Sequence, residues 1–246
     1  KSIEKTIAKE ELKNRIDLRN KTIFTIDGED AKDLDDAVSI KKLPNGNWEI
    51  GVHITNVSHY VKPGSHLFQH AAKNTTSLYV ANTVIPMYPE ILSNGIFSLN
   101  EGVDRLTKSI IYEVNQDGEI VNFRVCNSII NSKKKMNYDD VNRIILTGEV
   151  PVGYEPFAEA IKEMWIVAQK MIEAAKKQGR VTIDSNELYN EYDEDGNIIE
   201  SEKRQALPAQ LIIEYFMVGA NCRNAEYIDP KLVPFMYRVH EGPSVQ

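Results

Sequence analysis

Apolar and polar residues alternate in short runs through the first half of the chain. In the second half the apolar positions recur at helical spacing. Residues 1–16 carry Ile3, Ile7 and Leu12 on one side of an otherwise polar segment, which predicts a lead-in helix. Short strands are predicted at residues 22–26 and 37–40. The turn Pro44-Asn-Gly-Asn47 tolerates positive φ and returns the chain as a third strand over residues 48–54. A helix follows at about residues 65–73, and then a loop-rich stretch to Asn100 punctuated by Pro86, Pro89 and Gly95. A second hairpin joins residues 109–114 to 120–130 through Gln116-Asp-Gly118.

Residues 138–146 predict a short helix behind Asn137, a residue type that caps helix N-termini well. The longest predicted helix covers residues 156–177, with Pro156 at its start and Gly179 just past its end. Its Phe157, Ile161, Met164, Ala168, Met171, Ile172 and Ala175 fall on one face. A small hairpin turns at Asp193-Glu-Asp-Gly196, and a final helix covers about residues 207–227. No internal repeat or low-complexity linker interrupts this order. The expectation is an α+β fold, with hairpins of an antiparallel or mixed sheet first and helices mainly later. Residues 1–20 are read as a lead-in segment and residues 21–246 as one domain.

At 246 residues the chain is long enough to bury a sizeable core, and 42% hydrophobic with 26% charged residues is ordinary for a globular protein. No apolar run approaches the ~18 residues of a membrane span, so no membrane association is expected. The first residues lack the apolar stretch of a secretory signal. Two cysteines, Cys126 and Cys222, build neither a Cys-x-x-Cys pair nor a disulfide framework, and a reducing cytoplasm is the expected compartment. A formal charge of −7 argues against broad, non-specific coating of nucleic acid, which needs a basic surface. It leaves room for an enzyme that handles phosphates through bound metal.

The most informative segment is Asp27-Gly-Glu-Asp-Ala-Lys-Asp-Leu-Asp-Asp36, with six acids against one base and a local charge of −5. Two like charges ~4 Å apart repel by about 1 kcal/mol even in water, and more when partly buried. A loop between two apolar strands does not easily splay all six carboxylates into solvent. Either some of them take raised pKa values or a polyvalent cation sits among them. Hard oxygen donors on a short loop suit Mg²⁺ or Mn²⁺. A solvated acidic turn is the plain rival. A calcium loop is the other, and its spacing fails, because neither Gly nor Glu falls at the required positions. On physical grounds alone the loop reads as a divalent-metal site suited to phosphoryl chemistry.

The run Thr25-Ile-Asp-Gly-Glu-Asp-Ala-Lys-Asp-Leu-Asp-Asp-Ala-Val38 resembles the catalytic signature of the ribonuclease II and ribonuclease R family, the RNB domain. Further runs share the likeness. Arg15-Ile-Asp-Leu-Arg19 precedes the signature, and Gly51-Val-His-Ile-Thr-Asn-Val-Ser-His-Tyr-Val61 follows it. Then come Thr76-Ser-Leu-Tyr79, Ile85-Pro-Met-Tyr-Pro-Glu90, Leu92-Ser-Asn-Gly95, Asp104-Arg-Leu106 and Tyr237-Arg-Val-His240. The likeness spans essentially the whole chain, with the ribonuclease R branch the nearer. It implies an RNB-type catalytic domain that degrades single-stranded RNA hydrolytically from the 3′ end, releasing nucleoside 5′-monophosphates. It places the four family aspartates on Asp27, Asp33, Asp35 and Asp36, as catalytic residues and as ligands of Mg²⁺ or Mn²⁺, two ions with substrate bound. Asp35 is the residue whose loss should hurt chemistry most, and Glu29 and Asp30 are solvated neighbours.

The resemblance also gives Tyr79 the role of stacking on RNA near its 3′ end and aligns Glu214 with a helix glutamate, read equally as a solvated helix face or an RNA contact. Stacking on an aromatic ring tolerates any base, as a non-specific exonuclease requires. A second stacking aromatic aligns near Ile183, so that half of the clamp is missing. His53 and His59 have no metal-ligand partner at a persuasive spacing and are read as structural. Lys133, Lys134 and Lys135 form a charge run, read as a solvated face with an RNA phosphate as the alternative. Asn56, Phe68, Asn74 and Asn82 depart from the family pattern, the last two consistent with a lost ion pair. By the resemblance, OB-fold modules and a downstream arginine-bearing segment lie outside these residues. The chain is then a piece of a longer enzyme, monomeric and weakly active alone. The rival from another class is a non-catalytic RNA-binding module that keeps the fold, and a phosphoesterase on another substrate is weaker still. A binder has no reason to gather repelling carboxylates, which favours the enzyme.

Overall fold

The computed structural model describes residues 7, 9–80, 83–180, 187–193, 198–204 and 206–239, with backbone alone for 79–80, 83, 187–192 and 200–204. The lead-in departs from the expected helix. Lys9–Asn14 forms a 3-10 turn, and the chain then extends into strand β1 (Ile16–Asp17). A polar segment with few apolar residues gains little from helix formation in water. Arg15 instead donates across to the carbonyls of Thr107 and Ser128, and Leu18 is buried. Ile3 lies outside the described residues, and Ile7 lies in no regular element.

Strands β2 (Thr25–Asp27), β3 (Asp36–Lys42) and β4 (Trp48–Thr55) follow close to the expected places. The short helix α1 (Val57–Tyr60) falls between the expected strand over 48–54 and the expected helix over 65–73, where no helix is predicted, and the hairpin of β5 (Leu78–Val80) with β6 (Thr83–Ile85) falls in the stretch read as loop-rich. Between them α2 (His66–Asn74) begins where Ser65 accepts a hydrogen bond from the Phe68 amide. The long hairpin is β7 (Asp104–Val114) with β8 (Ile120–Asn131). A further short strand, β9 (Lys135–Asn137), was not evident in the sequence, where its lysine is part of a charge run. Helix α3 (Tyr138–Thr147) has Asn137 as its N-cap, accepting from the Asp140 amide at 2.7 Å, as the sequence leads one to expect. Helix α4 (Ala158–Lys177), the hairpin of β10 (Glu187–Tyr192) with β11 (Ile198–Arg204), and α5 (Pro208–Ile228) complete the order. Of the turn expected at residues 193–196, only Asp193 is described.

A five-stranded sheet runs β1-β8-β7-β4-β3. β1 pairs with β8 in parallel and every other neighbour is antiparallel, so the sheet is mixed. One face carries Val38, Trp48, Ile50, Val52, Ile110, Tyr112 and Val114 against the apolar sides of α3, α4 and α5. The Tyr112 hydroxyl donates to the Phe216 carbonyl at 3.0 Å, which ties α5 to the sheet. The opposite face mixes Ala37, Ile111 and Ile130 with a fully buried polar ladder. In that ladder His53 bonds Ser39 through Nε2 at 3.1 Å and Ser109 through Nδ1 at 2.6 Å, and Ser109 continues to Ser128 and Thr107. Burial holds His53 neutral, its pKa lowered to about 3. His53 is therefore structural, as expected. No described helix is long and apolar enough to cross a membrane.

Candidate functional site

β2 and β9 run parallel, and Asp27 lies opposite Asn137 at the end of that pairing. β2 also meets β3 through an antiparallel bridge between Phe24 and Val38, so the loop from Gly28 to Asp35 leaves and returns to the same corner of the sheet. Leu34 is the buried plug of this loop, 1% exposed. Its amide donates to Ser98 Oγ, its carbonyl accepts from the Leu99 amide, and the Ser98 hydroxyl donates to the Lys32 carbonyl at 2.7 Å. With Leu34 turned inward, Asp33 stays half-buried and Asp35 faces solvent. The Asp35 carbonyl accepts from the Thr55 amide, which locks the loop's exit to β4.

The structure brings Asp27, Asp33, Asp35 and Asp36 into one electrostatic neighbourhood. Burial, then Asp36 and Asp35, push the Asp27 carboxyl up to about 7. Burial and Asp35 raise Asp36 to about 6. Crowding by the surrounding protein, then the charge of Asp33, raises Asp35, although part of its surface is open. Glu29 and Asp30 are exposed, in line with their reading as solvated neighbours. Among the described residues no three His, Cys, Asp or Glu side chains close into a ready-made metal cage. One carboxylate oxygen, Asp27 Oδ2, is nevertheless buried without a hydrogen-bond partner among those residues. Such an oxygen costs free energy until something positive meets it. An all-oxygen set of this kind suits Mg²⁺, which takes one or two carboxylates and keeps water and phosphate in its remaining positions. The residues fit the cation that the sequence leads one to expect.

Three residues at this corner take roles toward the acidic loop that the sequence pattern does not show, although Asn137 was legible as a helix cap. The Tyr138 phenol, at the start of α3, is pushed up to about 12 by burial and by Asp27 and Asp36, so it borders the acidic cluster. Asn137 holds both the helix cap and the register with Asp27. Lys135 donates to the carbonyls of Glu29 at 2.8 Å and Ala31 at 2.7 Å. The lysine run is thus not a solvated face. Lys133 donates to the Arg19 carbonyl at 2.6 Å, and Lys134 lies 5.6 Å from the centre of the Tyr154 ring. The cause is β9, whose pairing with β2 folds the run inward. The only sequence signal for it was Met136 between the lysines and Asn137, and Met136 is fully buried.

Other expected residues lie elsewhere. Tyr79 lies in β5 opposite Val84, with its side chain outside the described residues, and Ile183, Asn82 and His240 also fall outside them. Glu214 on α5 pairs with Arg180, just past the end of α4, at 3.1 Å, and the Arg180 guanidinium lies over the Tyr215 ring. No described contact joins Glu214 to the acidic loop. Among the departures, Asn74 donates to the Met87 carbonyl at 3.1 Å and Phe68 is exposed.

The RNB domain family matches residues 15–246 of this chain. Ribonuclease R of Thermotoga maritima is 49% identical over 238 residues, which cover 96% of this chain and 34% of that protein. The solved structure of Mycoplasma genitalium RNase R in complex with ribose methylated single-stranded RNA superposes with a TM-score of 0.91 at 28% identity, covering 97% of this chain and 37% of that one. Yeast Ssd1, a pseudonuclease, shares the fold at a TM-score of 0.72 and 17% identity, over 92% of this chain and 28% of its own. The chain spans about a third of the length of the curated relatives it matches.

Proposed function

This chain belongs to the RNB-domain family, and from that premise we propose that it carries the catalytic centre of a divalent-metal-dependent 3′→5′ exoribonuclease. Its substrate in this reading is single-stranded RNA, hydrolysed to nucleoside 5′-monophosphates. The observation that carries the reading is the cluster of Asp27, Asp35 and Asp36, all with raised carboxyl pKa values, together with a buried oxygen of Asp27 that has no hydrogen-bond partner among the described residues. A protein that only binds RNA gains nothing from holding such groups together against their repulsion.

Asp27, Asp33, Asp35 and Asp36 would hold Mg²⁺ or Mn²⁺, in two sites once RNA is bound. Cations held there supply Lewis-acid polarisation of a phosphate and a water of lowered pKa. The protein's own part is to fix the donors. Leu34 anchors the loop in the core, the Thr55 amide fixes Asp35, and the β2–β9 pairing fixes Asp27. Tyr138 lies near enough for Asp27 and Asp36 to help keep its phenol protonated, so it adds no charge to the cluster. RNA contact by Tyr79 and Glu214 belongs to the same proposal. The Arg180 pair of Glu214 is half exposed and so costs little to open for a ligand.

The test is Asp35→Asn in the full-length protein, assayed on a labelled oligoribonucleotide with Mg²⁺. Single-nucleotide release from the 3′ end should fall by ~10³-fold or more while RNA affinity changes little, since the group acts on the transition state more than on the grip. Equal turnover by both proteins overturns the mechanism. RNA binding without turnover in the wild type supports the non-catalytic module instead.

A further inference from the structure

We infer that Lys135 is a positioning residue for the acidic loop: by binding the Glu29 and Ala31 carbonyls it holds Asp27, Asp33 and Asp35 in the arrangement that takes a cation. The inference rests on the metal reading above and concerns a residue that never touches the metal or the RNA in it.

The loop's own chemistry favours a spread-out conformation. It carries a charge of −5 within ten residues, and like charges drive such a segment apart. Two anchors oppose this. At the loop's second half, buried Ser98 bonds the Leu34 amide and the Lys32 carbonyl. At its first half, the Lys135 ammonium donates to two carbonyls, at 2.8 and 2.7 Å, short bonds strengthened by the positive charge. The Lys135 amide in turn donates to Glu101 Oε2 at 2.9 Å, and its strand pairs with β2 opposite Thr25. One residue therefore ties the exposed part of the loop to the strand that carries Asp27.

A lysine here has two effects on a cation, and they oppose. Its charge repels any metal ion and weakens the site. Its hydrogen bonds gather the loop and strengthen the site. The ammonium is engaged by the two loop carbonyls, and the inference assigns the larger part to gathering, a sign that simple electrostatics does not share.

The experiment is calorimetric titration of the protein with Mg²⁺ and, separately, Mn²⁺, for wild type, Lys135→Met, Lys135→Gln and Lys135→Arg, with thermal unfolding measured on each. Loss of a partner that orients metal ligands costs ~10–100-fold in affinity, and that weakening is expected for Met and Gln, with recovery toward wild type for Arg. Affinity equal to or tighter than wild type in Lys135→Met overturns the inference, because charge removal alone produces that result. Should the Met variant unfold, the Gln variant, which keeps a donor, decides by the same criterion. Failure of Arg to restore affinity also counts against a positioning role. A wild type that binds neither cation overturns the metal reading itself, and the inference falls with it. Loss of affinity in the Met and Gln variants, with wild type and Arg still binding, is the result that upholds both.

Discussion

Asp27 and Asn137 face each other across the parallel pair β2–β9. One is a carboxylate of the acidic cluster and the other is the N-cap of α3, so the helix cap and the candidate metal site share a single register. Asn137 Oδ1 accepts from the Asp140 amide while Nδ2 donates to Asp140 Oδ2 at 2.9 Å. Asn137→Ala should cost about 1 kcal/mol of stability through the lost cap. It should also weaken cation binding, since β9 no longer ends in a fixed position. Unfolding in urea with and without Mg²⁺ checks both. The expected loss of stability with unchanged cation affinity would separate cap from site and count against the shared register.

The raised carboxyls set a pH dependence of known sign. In the unfolded chain an aspartate releases its proton near pH 4, whereas Asp27 keeps its own until about pH 7 and Asp36 until about pH 6 in the fold. Between those limits these two groups bind more protons in the folded state, so the cluster's contribution to metal-free stability falls as pH rises from 4 to 7 and levels off above. Asp27→Asn should flatten that fall and raise metal-free stability at pH 8. Mg²⁺ should lift the melting temperature of the wild type more at pH 8 than at pH 5. Calorimetry across this range decides it, and a metal-free protein that gains stability between pH 4 and 7 at this cluster would contradict the assignment.

His53 works in the opposite direction. Its pKa is lowered to about 3, against about 6.5 in an unfolded chain. Below pH 6.5 the unfolded state takes a proton that the buried ring refuses, so this residue's contribution is lost by ~1.4 kcal/mol per pH unit toward pH 3. His53→Gln should be the less stable protein at pH 7, having lost well-placed bonds to Ser39 and Ser109. Its deficit should narrow steadily as pH falls. A deficit that stays constant from pH 7 to 4 would mean that the ring is not held neutral.

Gly51 lies against the same ladder. A Cβ there would overlap the Ser39 hydroxyl and come within 2.8 Å of His53 Nε2, both held by the sheet. Gly51→Ala should therefore destabilise by about 1–3 kcal/mol, the usual cost of forcing atoms into a packed interior. Pairing it with His53→Gln should recover part of the loss, because the two substitutions share one space. Chemical denaturation of the three variants measures this, and strict additivity would show that the clash is elsewhere.

What could be read from the sequence was whatever depends on near neighbours along the chain. The two long hairpins announce themselves through turn residues, as at Gln116-Asp-Gly118 with Gly118 at φ 82°. Helix α4 announces itself through the spacing of Ile161, Met164, Ala168 and Met171, and α3 through its cap at Asn137. The acidic loop was legible for the same reason, because six carboxylates on ten residues must repel wherever the chain goes. That was enough for the α+β class, the order of the long hairpins and helices, and the location of the candidate metal site.

Only the tertiary structure decided which partners meet from far apart. Ile16 joins Ser128, Thr25 joins Lys135, and the ammonium of Lys135 lies on carbonyls more than a hundred positions away. A lysine's charge is visible in sequence, but its long flexible stem is equally compatible with solvent, a phosphate or a backbone carbonyl. The choice falls to whichever strand pairing brings acceptors within reach. The lead-in segment and the three lysines were misread for that single reason. Parallel pairings leave no turn between their strands to mark them, and β1–β8 and β2–β9 are both parallel.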